Sequence, residues 1–279
     1  MRRIPWMIAL LAGCGQMLWA DIGAPDTFVW RNTDDRFGGL SGIDMADDGL
    51  SLTAISDRAK FVTADVQRGP NGAITALSNV VIHPLRDTRG RGPDSEGLAI
   101  GDRIYVSVEG RHQVLAFDAI TGRSTALPQH PDFKGMQSNS SLEALAIDAT
   151  GALYTLPERL GRASRPLPVY RYRDGVWDIA FRIPRRGNFL TSGADIGPDG
   201  RFYLLDRHFT GTGFQTRVRR FNIDGTHEVT VIETSNRTHD NLEGISVWQS
   251  PNGLRMTLVS DDDFQFFQRT ELVEYAIND

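Results

Sequence analysis

Apolar and polar residues alternate in short runs along almost the whole chain, and Gly, Asn and Asp punctuate them. A period of two broken at turn residues predicts strands and hairpins, and no long helical period competes with it after the first twenty residues. One word recurs where these runs begin: "DSEGLAI" at 94–100, "SLEALAI" at 141–147 and "NLEGISVW" at 241–248. Aligning Ile43, Leu98, Leu145, Ala194 and Ile245 gives spacings of 55, 47, 49 and 51 residues. A second strand follows each ("LTAISD", "IYVSVE", "ALYTLPE", "RFYLLD", "RMTLVSD") and then a third ("FVTADV", "QVLAFD", "PVYRYRD", "RVRRFNID", "ELVEYAI"). A fourth is visible in four units, as "AITALSNVVI", "STALP", "VWDIAFRI" and "HEVTVIE".

Four antiparallel strands in a unit of about 50 residues predict an all-β fold, a β-propeller of five blades. The fifth unit stops after its third strand, so the N-terminal "TFVWRN" at 27–32 is expected to close the ring. The 55-residue first spacing leaves a sixth blade open.

Strand direction then sorts the residues onto two faces. Hairpin turns such as Asp48-Gly49, Thr150-Gly151 and Asp199-Gly200 gather on one face, which reads as structural. The other face receives the strand entrances Ser41, Glu96, Glu143, Ser192 and Glu243. It also receives the second-strand ends Asp57, Glu109, Glu158, Asp206 and Asp261. Eight converging carboxylates at separations of ~6 Å, in an effective dielectric of ~20, repel by roughly 2–3 kcal/mol per pair. Cations must answer them. Arg58, Arg111, Arg159 and Arg207 follow the acids in four blades, which would suit a structural ring of acid–Arg pairs. The fifth blade has Asp262 and Asp263 instead. Carboxylates in excess, without thiolates or clustered imidazoles, suit a hard cation, Ca2+ above others. Loops on the same face bring His112, His208 and His239, and also Phe209, Phe214, Phe264, Phe266 and Phe267, as a pocket wall or a packed rim.

The chain has 279 residues and a net charge of −5, which argues against nucleic acid as a partner. Of its 30 cations only Lys60 and Lys134 are not arginine, and guanidinium forks match phosphate and carboxylate. "MRRIPWMIALLAGCGQMLWAD" reads as a secretory signal peptide over 1–20, with one propeller domain over 21–279. Leu11-Ala12-Gly13-Cys14 also fits a lipobox, which leaves a lipid anchor at Cys14 as the alternative. Export to the periplasm or beyond is expected on either route. No other stretch could span a membrane, and a monomer is expected. Cys14 is the only cysteine, so disulfides and cysteine nucleophiles are excluded from the mature domain.

The words "SGIDMADDGLSLTAISD", "DSEGLAI", "VSVEGRHQVLAFD", "LEALAID" and "NLEGIS" resemble bacterial proteins of the phytase-like family, described as having esterase-like activity of phytase. The resemblance covers about residues 37–279 and implies an exported β-propeller. By looser analogy with β-propeller phytases, it implies Ca2+ ions, their number unknown, holding substrate phosphates at a carboxylate-lined face. No Gly-x-Ser-x-Gly elbow, His-Glu-x-x-His helix or P-loop is present, so metal-activated water is the expected nucleophile. The leading expectation is a Ca2+-dependent hydrolase of small anionic esters. Glu96, Glu143, Glu243, Asp261, Asp262 and Asp263 would hold metal, and Arg58, Arg111, Arg159 and Arg207 the substrate anion. His112, His208, His239, Glu109 and Glu158 would move protons. The alternatives are a lactonase-type enzyme with a single metal and a non-enzymatic propeller that binds a ligand or partner.

Overall fold

The structure is a computed structural model that describes residues 18–278 apart from 139 and 163. Cys14 and most of the leader therefore lie outside the described residues. Blade 1 is built from β3 (Leu40–Met45), β4 (Ser51–Ser56), β5 (Lys60–Arg68) and β6 (Ile74–Pro84). Blade 2 is β7 (Ser95–Ile100), β8 (Ile104–Val108), β9 (Gln113–Phe117) and β10 (Ser124–Ala126). Blade 3 is β11 (Leu142–Ile147), β12 (Leu153–Pro157), β13 (Leu167–Arg173) and β14 (Val176–Ile183). Blade 4 is β15 (Leu190–Ile196), β16 (Phe202–Phe209), β17 (Phe214–Phe221) and β18 (Val229–Glu233), with β1 (Leu18–Trp19) added in parallel to β18. Blade 5 is β19 (Asn241–Ser250), β20 (Gly253–Asp261), β21 (Glu271–Ile277) and β2 (Asp26–Val29).

The fold is the five-bladed propeller that the spacing predicted. Its ring closes where expected: Asp26 to Val29 pair antiparallel with Glu274 to Glu271. Across the closing interface, Arg68 of blade 1 makes a bidentate contact with Glu274 of blade 5, at 2.7 and 2.9 Å. Such forks fix geometry as well as energy.

Each blade interface is filled by one apolar cluster. Trp248 of blade 5 packs with Ile43 and Met45 of blade 1, Phe61 with Phe117 between blades 1 and 2, and Phe133 and Tyr170 with Ala99 and Val114 between blades 2 and 3. Phe181 meets Phe202 between blades 3 and 4, and Tyr203 packs with Ile245 between blades 4 and 5. At roughly 1.5–3 kcal/mol for each large buried side chain, these clusters outweigh the repulsion expected among the acids.

The recurring Glu-Gly word has two physical causes. Every inner strand carries a one-residue register shift against its second strand, at Ser41, at Glu96–Gly97, at Glu143, at Ser192 and at Glu243. A bulge re-aims the side chain that it displaces, so these positions can face the axis. The next residue is Gly42, Gly97, Gly193 or Gly244 in four blades and Ala144 in blade 3, and at Gly97 and Gly193 neighbouring backbone leaves no room for a Cβ. One on Gly97 would meet Leu145 N at 2.7 Å, and one on Gly193 would meet the Glu243 carbonyl at 2.5 Å.

Gly193→Ala is therefore expected to destabilise the protein by about 1–3 kcal/mol in urea unfolding, because backbone must shift to admit the methyl group. Gly135→Ala, with nothing within 4 Å of the new carbon, is the near-neutral control. Equal unfolding midpoints for the two variants would refute this account of the Glu-Gly word.

Candidate functional site

Two concentric sets of positions line the face where the inner strands begin. The inner set is the bulge series Ser41, Glu96, Glu143, Ser192 and Glu243. The outer set is fixed by pairing: Asp57 N–H donates to Gly39, Glu109 to Asp94 and Glu158 to Ser141, while Asp261 stands opposite Asn241. In blade 4 the residue in that place, opposite Leu190, is Arg207 and not Asp206. The expectation of an acid in every blade is thus off by one residue there. Alternation turns Asp206 away from this set, where Arg217 Nη2 and Arg219 Nε hold its buried carboxylate at 2.9 Å each.

Arg207 is the one cation among these ten positions. Its Nη1 lies 2.9 Å from Glu243 Oε1 and donates to Asn241 Oδ1 at 3.0 Å, while Asn241 Nδ2 donates to Glu243 at 2.8 Å. Burial works against the guanidinium charge, but Glu243, Glu143, Glu158 and Glu96 together outweigh it and hold Arg207 protonated. The acids bear the opposite strain. Burial first, and then mutual repulsion, pushes Glu96 and Glu143 well above the usual carboxylate range. Burial raises Glu109, Asp94 and Asp57 as well, with Asp94 lying close to Glu96 and Glu109 close to Glu143.

Asp94, Glu96 and Glu109 each offer an oxygen within 4.8 Å of the other two. Ligands of one Ca2+ at about 2.3–2.6 Å span such separations, so the trio fits a hard divalent cation in both spacing and donor type. It joins Glu96, expected as a ligand, with Glu109, expected as a proton carrier. Asp94 was not among the expected residues, although it is the first letter of "DSEGLAI".

The other expected residues are more dispersed. Asp262 is engaged by its own surroundings, accepting from Gly39 N (2.9 Å), Phe264 N (3.1 Å) and Thr270 Oγ1 (3.0 Å). Asp263 donates its N–H to Asp261 Oδ1 at 2.7 Å and accepts from Gln268 at 3.2 Å. Arg159 pairs with Glu158 at 2.9 Å, Arg111 pairs with Asp87, and Arg58 stacks 3.6 Å over the Phe264 ring. His239 Nε2 lies 2.7 Å from the Tyr275 hydroxyl, His208 Nδ1 lies 3.1 Å from Gln215 Oε1, and burial lowers the pKa of His112. Among the described residues, no hydrogen bond or ion pair joins these three histidines to the ring acids. Phe209 and Phe214 pair at the tip of the β16–β17 hairpin, and Phe266 pairs with Phe267 on the β20–β21 loop, at 5.2 and 5.3 Å between centroids.

A wide concavity lies at the opposite mouth of the axis. The carboxylate trio and Arg207 lie on the acid face instead.

Asp261 supplies a pH test. Burial, and then the charge of Glu243, push its pKa up to about 9, against about 3.9 in an unfolded chain. Between about pH 7 and 9 the metal-free folded state thus holds a proton that the unfolded state lacks, so stability falls as pH rises through that window. Buried His239, whose pKa is lowered, acts in the other sense only below about pH 6.5. Chelator-treated protein is expected to melt at a lower temperature at pH 9 than at pH 7, and Asp261→Asn should flatten the difference. An unchanged melting temperature in the parent would remove the claim of repelling, protonated acids.

A search of curated proteins finds no match. Among solved structures, a GH62 α-L-arabinofuranosidase catalytic domain from Coprinopsis cinerea matches with a TM-score of 0.55 at 10% identity, covering 93% of this chain and 97% of that one. A putative exo-β-1,3-galactanase from Bifidobacterium bifidum s17 matches with a TM-score of 0.53 at 14% identity, covering 91% and 95%. At these identities the likeness is one of fold alone. The family described as "Phytase-like: Esterase-like activity of phytase" matches residues 35–264, which span blades 1 to 4 and the first two strands of blade 5, and the chain belongs to that family.

Proposed function

We propose that this protein is an exported hydrolase of small anionic esters, phosphate or carboxylic, that works at the acid ring with a divalent cation, Ca2+ by preference. The observation that carries the reading is the Asp94–Glu96–Glu109 trio, set in a ring whose one cation is Arg207. Membership of a phytase-like family agrees with it. Asp94, Glu96 and Glu109 would hold the cation. A hard cation bound there would polarise the ester and supply an ionised water at neutral pH.

The remaining roles fall to the chain's own residues. Arg207 keeps 27% of its side chain exposed, so its guanidinium can reach a substrate oxyanion. Arg159, half exposed beside Glu158, can orient a second anionic group. Glu143, held protonated by burial and by its acidic neighbours, is a proton donor for the leaving oxygen. Glu158 stands next to it as the proton acceptor.

Metal analysis of the purified protein, with turnover of p-nitrophenyl phosphate, p-nitrophenyl acetate and a sugar lactone in Ca2+ and in chelator, tests this reading. Anionic ester turnover that needs Ca2+, lost by about 100-fold or more in Glu96→Gln and Arg207→Met, is the expected result. Turnover of the lactone alone would select a lactonase, and inactivity toward every ester with metal bound would select a binding propeller.

Export is tested separately, by mass spectrometry of the mature N-terminus. Cleavage after Ala20 would remove β1, whereas lipidation at Cys14 would retain Leu18 and Trp19 on β18. An intact Met1 would overturn export.

A further inference from the structure

At the opposite mouth of the axis, the inner strands end in a cup of about 1220 Å³. Its floor is Met45, Ile100, Ile147, Ile196 and Val247, one residue from each blade, and Tyr105, Tyr172 and Trp248 stand around it. Between the cup and the acid ring, the space lined by Ile43, Leu98, Leu145, Ala194 and Ile245 narrows to about 10 Å³, so the two mouths are separate compartments.

Next to its floor the cup is polar on one side only. One residue before each floor position stand Asp195, Ser246 and Asp44, on the consecutive blades 4, 5 and 1, and Ala146 and Ala99 on blades 3 and 2. The polar three bond to the next blade. Asp195 Oδ2 accepts from Val247 N at 2.6 Å, Ser246 Oγ from Met45 N at 3.0 Å, and Asp44 from the Ile100 amide. Fastening blades does not require carboxylates here: Ser246 does the same work as a hydroxyl, and blades 2 and 3 manage with alanine. Half-buried carboxylates still lose hydration, and no ion pair reaches Asp44 or Asp195 among the described residues. Asp47, Asp102 and Asp148 add negative charge at the lip, where Arg173 is the one cation among the lining residues.

We propose that this cup is a second binding site, for an organic monocation with an apolar body. Its ammonium lies against Asp44 and Asp195, and its hydrocarbon lies on the Ile100–Ile147 side beside Tyr105 and Tyr172. A cavity of this volume, with convergent polar groups beside aromatic and aliphatic side chains, suits a small molecule, and the charge selects an amine over a neutral or anionic ligand.

Titration calorimetry of the mature protein with phenethylamine, and with phenethyl alcohol as its neutral counterpart, tests the proposal. The amine is expected to bind at least about tenfold more tightly than the alcohol. Asp195→Asn and Asp44→Asn keep the amide acceptor and should each lose about tenfold or more of the amine affinity. Should either variant fold poorly, Ala149→Trp, on the exposed lip, should block binding without touching the blade contacts. Millimolar Ca2+, which addresses the acid ring, should leave amine affinity unchanged. Equal affinity for alcohol and amine, no binding, or full displacement by Ca2+ would each overturn the proposal, the last by making the cup a divalent-metal site.

Discussion

Five inner strands approach one axis closely enough that backbone lies against backbone, and most of what is distinctive in this molecule follows from that contact. The Cβ that Gly97 lacks would sit 2.7 Å from Leu145 N, and the one that Gly193 lacks would sit 2.5 Å from the Glu243 carbonyl. A β-bulge immediately before each of these positions turns the preceding side chain out of the blade. Where that residue is a serine it reaches the next blade, as Ser41 Oγ does to the Ser95 carbonyl at 2.6 Å. Where it is a glutamate, the same geometry delivers a carboxylate to a place that packing alone would not choose. The interface clusters, with Phe61, Phe117, Tyr170, Phe202 and Tyr203 almost fully buried, supply the stability that tolerates it.

The ring that results is uneven, and its unevenness separates two ways of handling buried charge. On the blade 4 and 5 side, Arg207 lies 2.9 Å from Glu243, and Asn241 fixes both partners. On the blade 2 and 3 side, no ion pair with arginine reaches Asp94, Glu96, Glu109 or Glu143 among the described residues, and these acids lie close to one another instead. Acids so arranged either keep protons or exchange them for a cation. That exchange links the raised titration of Glu96 and Glu143 to the spacing of the trio, since one cause, carboxylates brought together by the bulges, underlies both.

The blade count, the closing strand and the face that carries the acids were legible in the sequence, because they depend on spacing and on strand direction. Register was not. "YLLDRHF" offers an acid and an arginine in adjacent places, and only the pairing of Leu190 with Arg207 shows which one faces the ring. A one-residue slip exchanges the two sides of a strand, so the four-acid pattern of the other blades misled in the fifth case. Loop residues were harder still. Sequence places His239 on the right loop, but its burial against Tyr275 depends on how deeply that loop settles. Asp94 was visible in the repeated word, yet its value as a ligand emerges only when pairing sets Glu109 opposite it.

The inner strands also show how two charged mouths coexist on one thin axis. From the bulge to the residue before the floor they read "SGID", "EGLA", "EALA", "SGAD" and "EGIS". In a regular strand, residues three apart face opposite sides, but the extra residue of the bulge restores them to the same side. Thus Ser41 and Asp44 both reach into blade 2, and Ser192 and Asp195 both reach into blade 5. Each strand then carries one carboxylate, at the bulge in blades 2, 3 and 5 and three residues later in blades 1 and 4. No strand has both. Burying two like charges on one strand would add their desolvation penalties and their repulsion, and this distribution avoids that sum. It also gives each mouth its own charged arc, on different blades, with the apolar constriction at Ile43, Leu98, Leu145, Ala194 and Ile245 between them.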